Sequence, residues 1–379
     1  MNNRFLLALA TLVGTIIGGG IFGLPYVVSK SGILPGLVYF VALGGVVLLL
    51  HLMFGEIALR TQAKHRLIGY ANIYLGDWAK TVVTFSTVVG VVGALLAYTI
   101  IAGDFLHLLL SSVVPLSVPA FSLLFWAAAS MFIVRGIQAI AKMELFMSIA
   151  LFVVVGVIFL FAAPHVALDN FVLFDSSALF FPYGVVLFAF MGLAAVPEIA
   201  ELFKTKKEKR SLDNLIVWSS VICGALYVLF TLFVVGVSGS ATSTDALSGL
   251  IPFLGEKVVL LGAIFGLIAI AASFLVLGNY LKNSLRYDYK MPYGWAVAFT
   301  VFTPIMLFLF GLREFIVVIG LVGAVIAALE GSVIALIFRK AQKRGDRIPE
   351  YQLRFPKPLV LLLVALLVLG AVVEVVAHM

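Results

Sequence analysis

The run Gly14-Thr-Ile-Ile-Gly-Gly-Gly-Ile-Phe-Gly-Leu-Pro25 holds no titratable side chain, yet its chemistry lies in its backbone. In a helix each Gly costs about 1 kcal/mol against Ala and Pro about 3 kcal/mol, so the segment favours local unwinding. Apolar residues flank it on both sides. Unwound backbone in such surroundings must line a cavity or hold a ligand, because lipid satisfies neither N–H nor C=O. A weaker version, Phe188-Ala-Phe-Met-Gly-Leu-Ala-Ala-Val-Pro197, repeats the spacing, with Gly192 to Pro197 matching Gly20 to Pro25. N–H groups freed at the start of a half-helix attract a carboxylate, and freed C=O groups accept from an ammonium or a cation. A zwitterion satisfies both. The competing use of such glycines is close helix packing.

Carboxylates inside apolar runs are the next candidates, since a charge at a helix centre costs about 2.5–3.5 kcal/mol on insertion scales. Glu330 and Asp104 are the deepest, and either could carry a proton; Glu330 is the preferred one. Glu56, Glu198 and Glu201 fall near span ends, where solvated or Arg-paired carboxylates are expected. His51 and His107 stand alone, and the single cysteine, Cys223, sits in an apolar run, so no metal site or disulfide framework is expected. No Ser-His-Asp spacing supports hydrolysis, and Gly18-Gly-Gly20 follows no strand and precedes no phosphate-binding Lys. The residues point to no enzyme and no cofactor.

The elements that must position these groups are membrane helices. Of the 379 residues, 63% are hydrophobic and 11% charged, with mean hydropathy +1.19, against about 25% charged in soluble chains. Apolar segments of membrane-spanning length predict about eleven spans, at 4–29, 33–59, 81–110, 119–135, 143–163, 179–203, 212–237, 256–284, 293–311, 315–338 and 357–377. The fold class is therefore an all-α polytopic membrane protein. Interrupted helices at corresponding places in spans one and six predict a five-plus-five inverted repeat, about 4–163 and 179–338, with 357–377 as an accessory helix of a single domain over 1–379. All 25 Lys and Arg except Lys30, Lys257 and Arg313 then fall on one side. The positive-inside rule makes that side cytoplasmic, with the N-terminus inside and the C-terminus outside. The net charge of +7 so belongs to short loops beside anionic lipid, not to nucleic-acid binding. The short loops suggest a prokaryotic plasma membrane, and oligomeric state is left open.

At Gly14-Thr-Ile-Ile-Gly-Gly-Gly-Ile-Phe22 the sequence resembles the amino acid-polyamine-organocation superfamily. The Gly-Leu-Pro-Tyr26 that follows, with Phe181-Pro-Tyr-Gly and Val196-Pro-Glu-Ile199, looks most like permeases of the aromatic and amino acid/auxin type. The resemblance covers ten spans by topology and is specific in the first and sixth. It implies the fold of bacterial leucine transporters and alternating access. By motif position it implies a substrate site at Ile16, Gly18, Gly19, Gly20, Phe188 and Met191. The substrate carboxylate would meet N–H groups near Gly19 and Gly20, its ammonium would meet carbonyls near Ile16, Phe188 and Met191, and Phe188 would serve as an aromatic gate. Many relatives carry Glu where this chain has Ala194, which disfavours a cationic substrate or antiport. A sodium site would use Gly14, Ile17, Ala272 and Ser273, with only one hydroxyl present. A lysine amine from span five is not in place, since the chain is apolar near Leu151 and Lys142 lies at the span's end. Gly90, Gly93 and Ala94 leave room for a substrate side chain. The expected function is secondary active transport of a neutral, hydrophobic or aromatic amino acid, coupled to protons or sodium. An exchanger, or a sensor that binds an amino acid without moving it, remains the alternative.

Overall fold

The computed structural model describes residues 3–135, 152–287 and 289–377. The first span consists of α1 (Asn3–Ile16) and α2 (Leu24–Ser31), separated by a 3-10 turn over Gly19–Gly23 and bent by 46°. Pro25 occupies the first turn of α2, where a missing N–H leaves no hydrogen bond unmade, so it begins the second half-helix. Gly32, at φ +97°, turns the chain into α3 (Ile33–Arg60). A short helix absent from the sequence reading, α4 (Leu67–Leu75), precedes α5 (Asp77–Leu110), α6 (Val118–Arg135) and α7 (Phe152–His165). The sixth span is α8 (Pro182–Phe190) and α9 (Ala195–Leu202), unwound between them. Next come α10 (Lys206–Arg210), α11 (Leu212–Ser238), α12 (Ile251–Leu254), α13 (Glu256–Tyr287), α14 (Tyr293–Leu309), α15 (Phe315–Arg344) and α16 (Lys357–Ala377).

Among the described residues eight helices are long and apolar enough to cross a bilayer, and the bent first pair makes nine. The shorter apolar helices α7 and α14 stand at the fifth and ninth places of the expected eleven. Lys142, Leu151 and the first part of span 143–163 lie outside the described residues. Large apolar side chains such as Val41, Leu160, Trp218, Trp295 and Leu361 point outward, as a lipid-facing surface requires.

The interior is organised around α15, which packs on α8, α5, α16 and α3. Glycines let the backbones touch: a Cβ on Gly184 would stand 2.0 Å from the Gly320 oxygen, and one on Gly323 2.0 Å from the Gly184 oxygen. The carboxyl of Glu374, on α16, is buried against Gly184 and Gly320. The accessory helix is thus anchored by a polar group in the protein interior.

The two ends of the bundle are tied differently. At the basic end Arg4 pairs with Glu208 at 3.3 Å, and Arg60 with Glu56 at 2.6 Å. The second Glu56 oxygen accepts the Leu353 N–H at 2.5 Å, and the Gln62 N–H reaches Asp346 at 2.9 Å, fastening the linker after α15 to the end of α3. The Thr205–Glu208 capping box starts α10, and hydrogen bonds from the Thr205 backbone hold the Glu208 carboxyl below its ordinary value. At the opposite end, the N–H groups of Ile33 and Leu34 donate to Val172 and Leu173 at 2.8 and 3.1 Å, while the Asn170 amide donates to Gly236 at 2.7 Å. The segment between α7 and α8 so straps the α2–α3 turn to the end of α11.

Candidate substrate site

The two breaks face each other across the centre of the bundle. Gly20 is packed so closely on α8 that a Cβ there would lie 2.8 Å from the Ala189 Cα and 3.0 Å from the Phe188 ring. A Cβ on Gly192 would lie 2.5 Å from the Ile16 side chain. Glycine is needed at both places so that the unwound strands can approach.

Beside this junction lies a cavity of about 250 Å³. Span one lines it with Gly14, Ile16, Ile17, Gly18 and Gly20, and span six with Phe188, Met191, Gly192 and Ala194. α5 contributes Thr87, Gly90, Ala94 and Tyr98, α13 contributes Ala272 and Ser273, and α15 contributes Ile326 and Glu330. Of the residues expected from sequence, three stand apart. Gly19 turns toward Tyr98, its Cβ position only 2.8 Å from that ring, and Asp104 sits off the cavity, in the field of Asp245. Gly93 also faces away: a Cβ there would meet Val322 at 2.2 Å, so this glycine serves helix packing.

The polar groups are few and placed. The Tyr98 hydroxyl is within hydrogen-bonding reach of the Ser273 hydroxyl and the Gly19 backbone. Glu330 accepts from Thr87 at 3.2 Å and Ser86 at 3.3 Å. The Ile16 carbonyl, expected to face an ammonium, already accepts from the Tyr227 hydroxyl at 3.0 Å and the Gly18 N–H at 3.0 Å. Sequence reasoning missed Tyr98 and Tyr227. Tyr98 was within reach of it, since Gly90, Ala94 and Tyr98 recur at four-residue spacing on one helix face. Tyr227 had no such signal.

The cavity runs toward the basic end, where Arg66, Leu67 and Pro197 line its mouth. Arg66 bridges Glu201 at 2.8 Å and Glu198 at 3.2 Å. Burial works against the Arg66 charge, but the Glu201 hydrogen bond and both carboxylates outweigh it and hold the guanidinium above its usual value. Toward the other end, Phe22 is buried edge-on against Phe105, with centroids 4.9 Å apart, and against Phe230 at 6.2 Å.

The sequence model of the tryptophan/tyrosine permease family matches residues 1–374. The chain belongs to the tryptophan/tyrosine permease family. No curated protein matches this permease in sequence. Among solved structures it is similar to MhsT in complex with L-phenylalanine, at TM-score 0.65 and 16% identity, covering 99% of the permease and 98% of that chain. It is likewise similar to Mhp1, a nucleobase-cation-symport-1 family transporter in a closed conformation with bromovinylhydantoin bound, at TM-score 0.67 and 12% identity over 88% and 77% of the two chains. At these identities the likeness is one of fold, the leucine-transporter fold with its five-plus-five arrangement and broken first and sixth helices. The permease is an integral membrane secondary transporter and not an enzyme.

Proposed function

We propose that this permease accumulates a neutral amino acid with an aromatic or large hydrophobic side chain, driven by protons that Glu330 carries. The observation behind this reading is that the backbone groups of both broken spans and the Glu330 carboxyl open into one cavity. The substrate carboxylate would take the Gly18–Gly20 N–H groups, with the Tyr98 hydroxyl turning from Gly19 to donate to it. The side chain would lie between Phe188, Met191, Val91 and Ile326, with Gly90 and Ala94 leaving space for a ring. At about 250 Å³ the space suits one small molecule. Glu330, held by the two neutral hydroxyls of Ser86 and Thr87, is placed to gain and lose a proton as the cavity changes sides. By the positive-inside rule the basic end is cytoplasmic, which puts the N-terminus inside and the C-terminus outside and makes this conformation inward-facing.

Sodium coupling is the second reading, since Gly14, Ile17 and Ser273 share the cavity. The one hydroxyl there is already engaged by Tyr98, and Ala272 supplies none, so the proton reading is preferred. Uptake of labelled tryptophan, tyrosine, phenylalanine and leucine into proteoliposomes, under a proton gradient, a sodium gradient and neither, tests both. Accumulation under the proton gradient alone supports the proposal. Accumulation that requires sodium transfers coupling to Ser273. Binding without accumulation or counterflow leaves a sensor.

A further inference from the structure

Tyr227 lies in the middle of α11, on neither broken span, and is wholly buried. Its hydroxyl lies 3.0 Å from the Ile16 oxygen, at the end of α1, and 2.7 Å from the Ala189 oxygen, in the last turn of α8. The helix breaks free these carbonyls from their i+4 partners, and the hydroxyl stands where they converge. Its neighbours hold it there: the Phe190 ring, at the end of α8, packs edge-on against Tyr227 at 5.1 Å, and one turn earlier on α11 the Cys223 thiol contacts the Val13 oxygen at 4.0 Å.

Two carbonyl dipoles aimed at one buried point make a negative spot that attracts positive charge. A tyrosine hydroxyl has one proton to donate, and shared between the two oxygens in a three-centre hydrogen bond it ties the pair without bringing a charge. We propose that the Tyr227 hydroxyl takes the place of a monovalent cation at the junction of the two broken spans, fixing their unwound ends to each other as one unit. The substrate site described above then keeps its shape without an ion at this point, and any coupling ion must act elsewhere in the cavity. Tyr227 is a positioning residue in this scheme: it touches the backbone that forms the site and has no place in the cavity wall. The inference rests on the transport reading only where substrate affinity is concerned.

The test compares the full-length protein with Tyr227→Phe and Tyr227→Ser in detergent or nanodiscs. Hydrogen exchange is followed in 13–20, in 187–195 and, as an internal control, in the α5–α15 interface. Loss of one buried hydrogen bond should raise exchange in Tyr227→Phe about tenfold in both broken segments together, with the control unchanged and apparent substrate affinity lowered in parallel. In Tyr227→Ser the ring is gone and the carbonyls face open space. There sodium or potassium chloride, but not choline chloride, should restore protection to both segments, while the unaltered protein ignores the choice of cation. Acceleration of one segment alone, or of neither, overturns the crosslink. A Tyr227→Ser protein indifferent to the small cations overturns the substitution for an ion. Wild-type proteoliposomes that fail to transport, alongside the expected exchange pattern, would remove the transport reading and leave the crosslink standing.

Discussion

The roles proposed for Glu330 and Tyr98 are separable, and single-atom changes distinguish them. Glu330→Gln keeps the hydrogen-bonding shape that Ser86 and Thr87 hold but removes the proton. If Glu330 carries the coupling proton, this variant loses accumulation driven by a pH gradient yet still exchanges labelled for unlabelled substrate; equal loss of both activities would make the residue structural. Tyr98→Phe removes only the hydroxyl that reaches Ser273 and Gly19. A hydrogen bond to a charged group is worth about 1.5–3 kcal/mol, so KM should rise at least about tenfold with little change in maximal rate. An unchanged KM would mean that Tyr98 braces the Gly19 backbone without meeting substrate. Asp104→Asn should leave coupling intact, because that side chain lies off the cavity.

At the scale of elements, the glycines divide into those that shape the cavity and those that let helices touch. A Cβ on Gly90 would meet only the flexible Ile326 side chain at 3.1 Å, and Gly90 lines the cavity. Gly90→Val should therefore reject tryptophan while sparing smaller substrates, measured as a ratio of uptake rates; uniform loss would indicate misfolding. Gly323→Ala sets a methyl against the Gly184 backbone oxygen, which cannot yield as a side chain can. It should destabilise the protein by about 1–3 kcal/mol or more for every substrate alike, read as a lower melting temperature. Much of this was legible in the sequence. Consecutive glycines followed by Pro25, and the matching spacing before Pro197, located both breaks because lipid leaves freed backbone so few alternatives. The role of Gly93 was not legible, since packing against Val322 and lining a cavity use the same small residue. Tyr227 and Glu374 were also invisible. Each acquires its partners from helices distant in sequence, and nothing in the local pattern separates a buried tether from a lipid-facing side chain.

For the whole molecule, alternating access requires that the cavity exchange its opening at the basic end for one at the other. Edge-to-face aromatic pairs contribute about 0.5–1.5 kcal/mol each, so the contacts of Phe22 with Phe105 and Phe230 are weak enough to part within a transport cycle. The ion pairs of Arg66 with Glu198 and Glu201 stand at the opposite mouth, partly in water, where such pairs are individually weak. Both sets of contacts are therefore modest. A cysteine at Thr87, inside the cavity, reports this balance once the single native cysteine, itself buried, is replaced by serine. With the basic end cytoplasmic, a membrane-impermeant maleimide should label it in inside-out vesicles and scarcely in right-side-out ones. A cysteine at the exposed Ser240, just past the far end of α11, should show the reverse. Adding Phe22→Ala removes the ring common to both aromatic contacts, so labelling at position 87 should then rise from the right-side-out direction, and saturating substrate should slow it. If Thr87→Cys instead reacts from the right-side-out direction before Phe22 is replaced, the orientation is inverted. If Phe22→Ala changes nothing, the barrier lies elsewhere along the passage, and the strap over the α2–α3 turn becomes the element that must move.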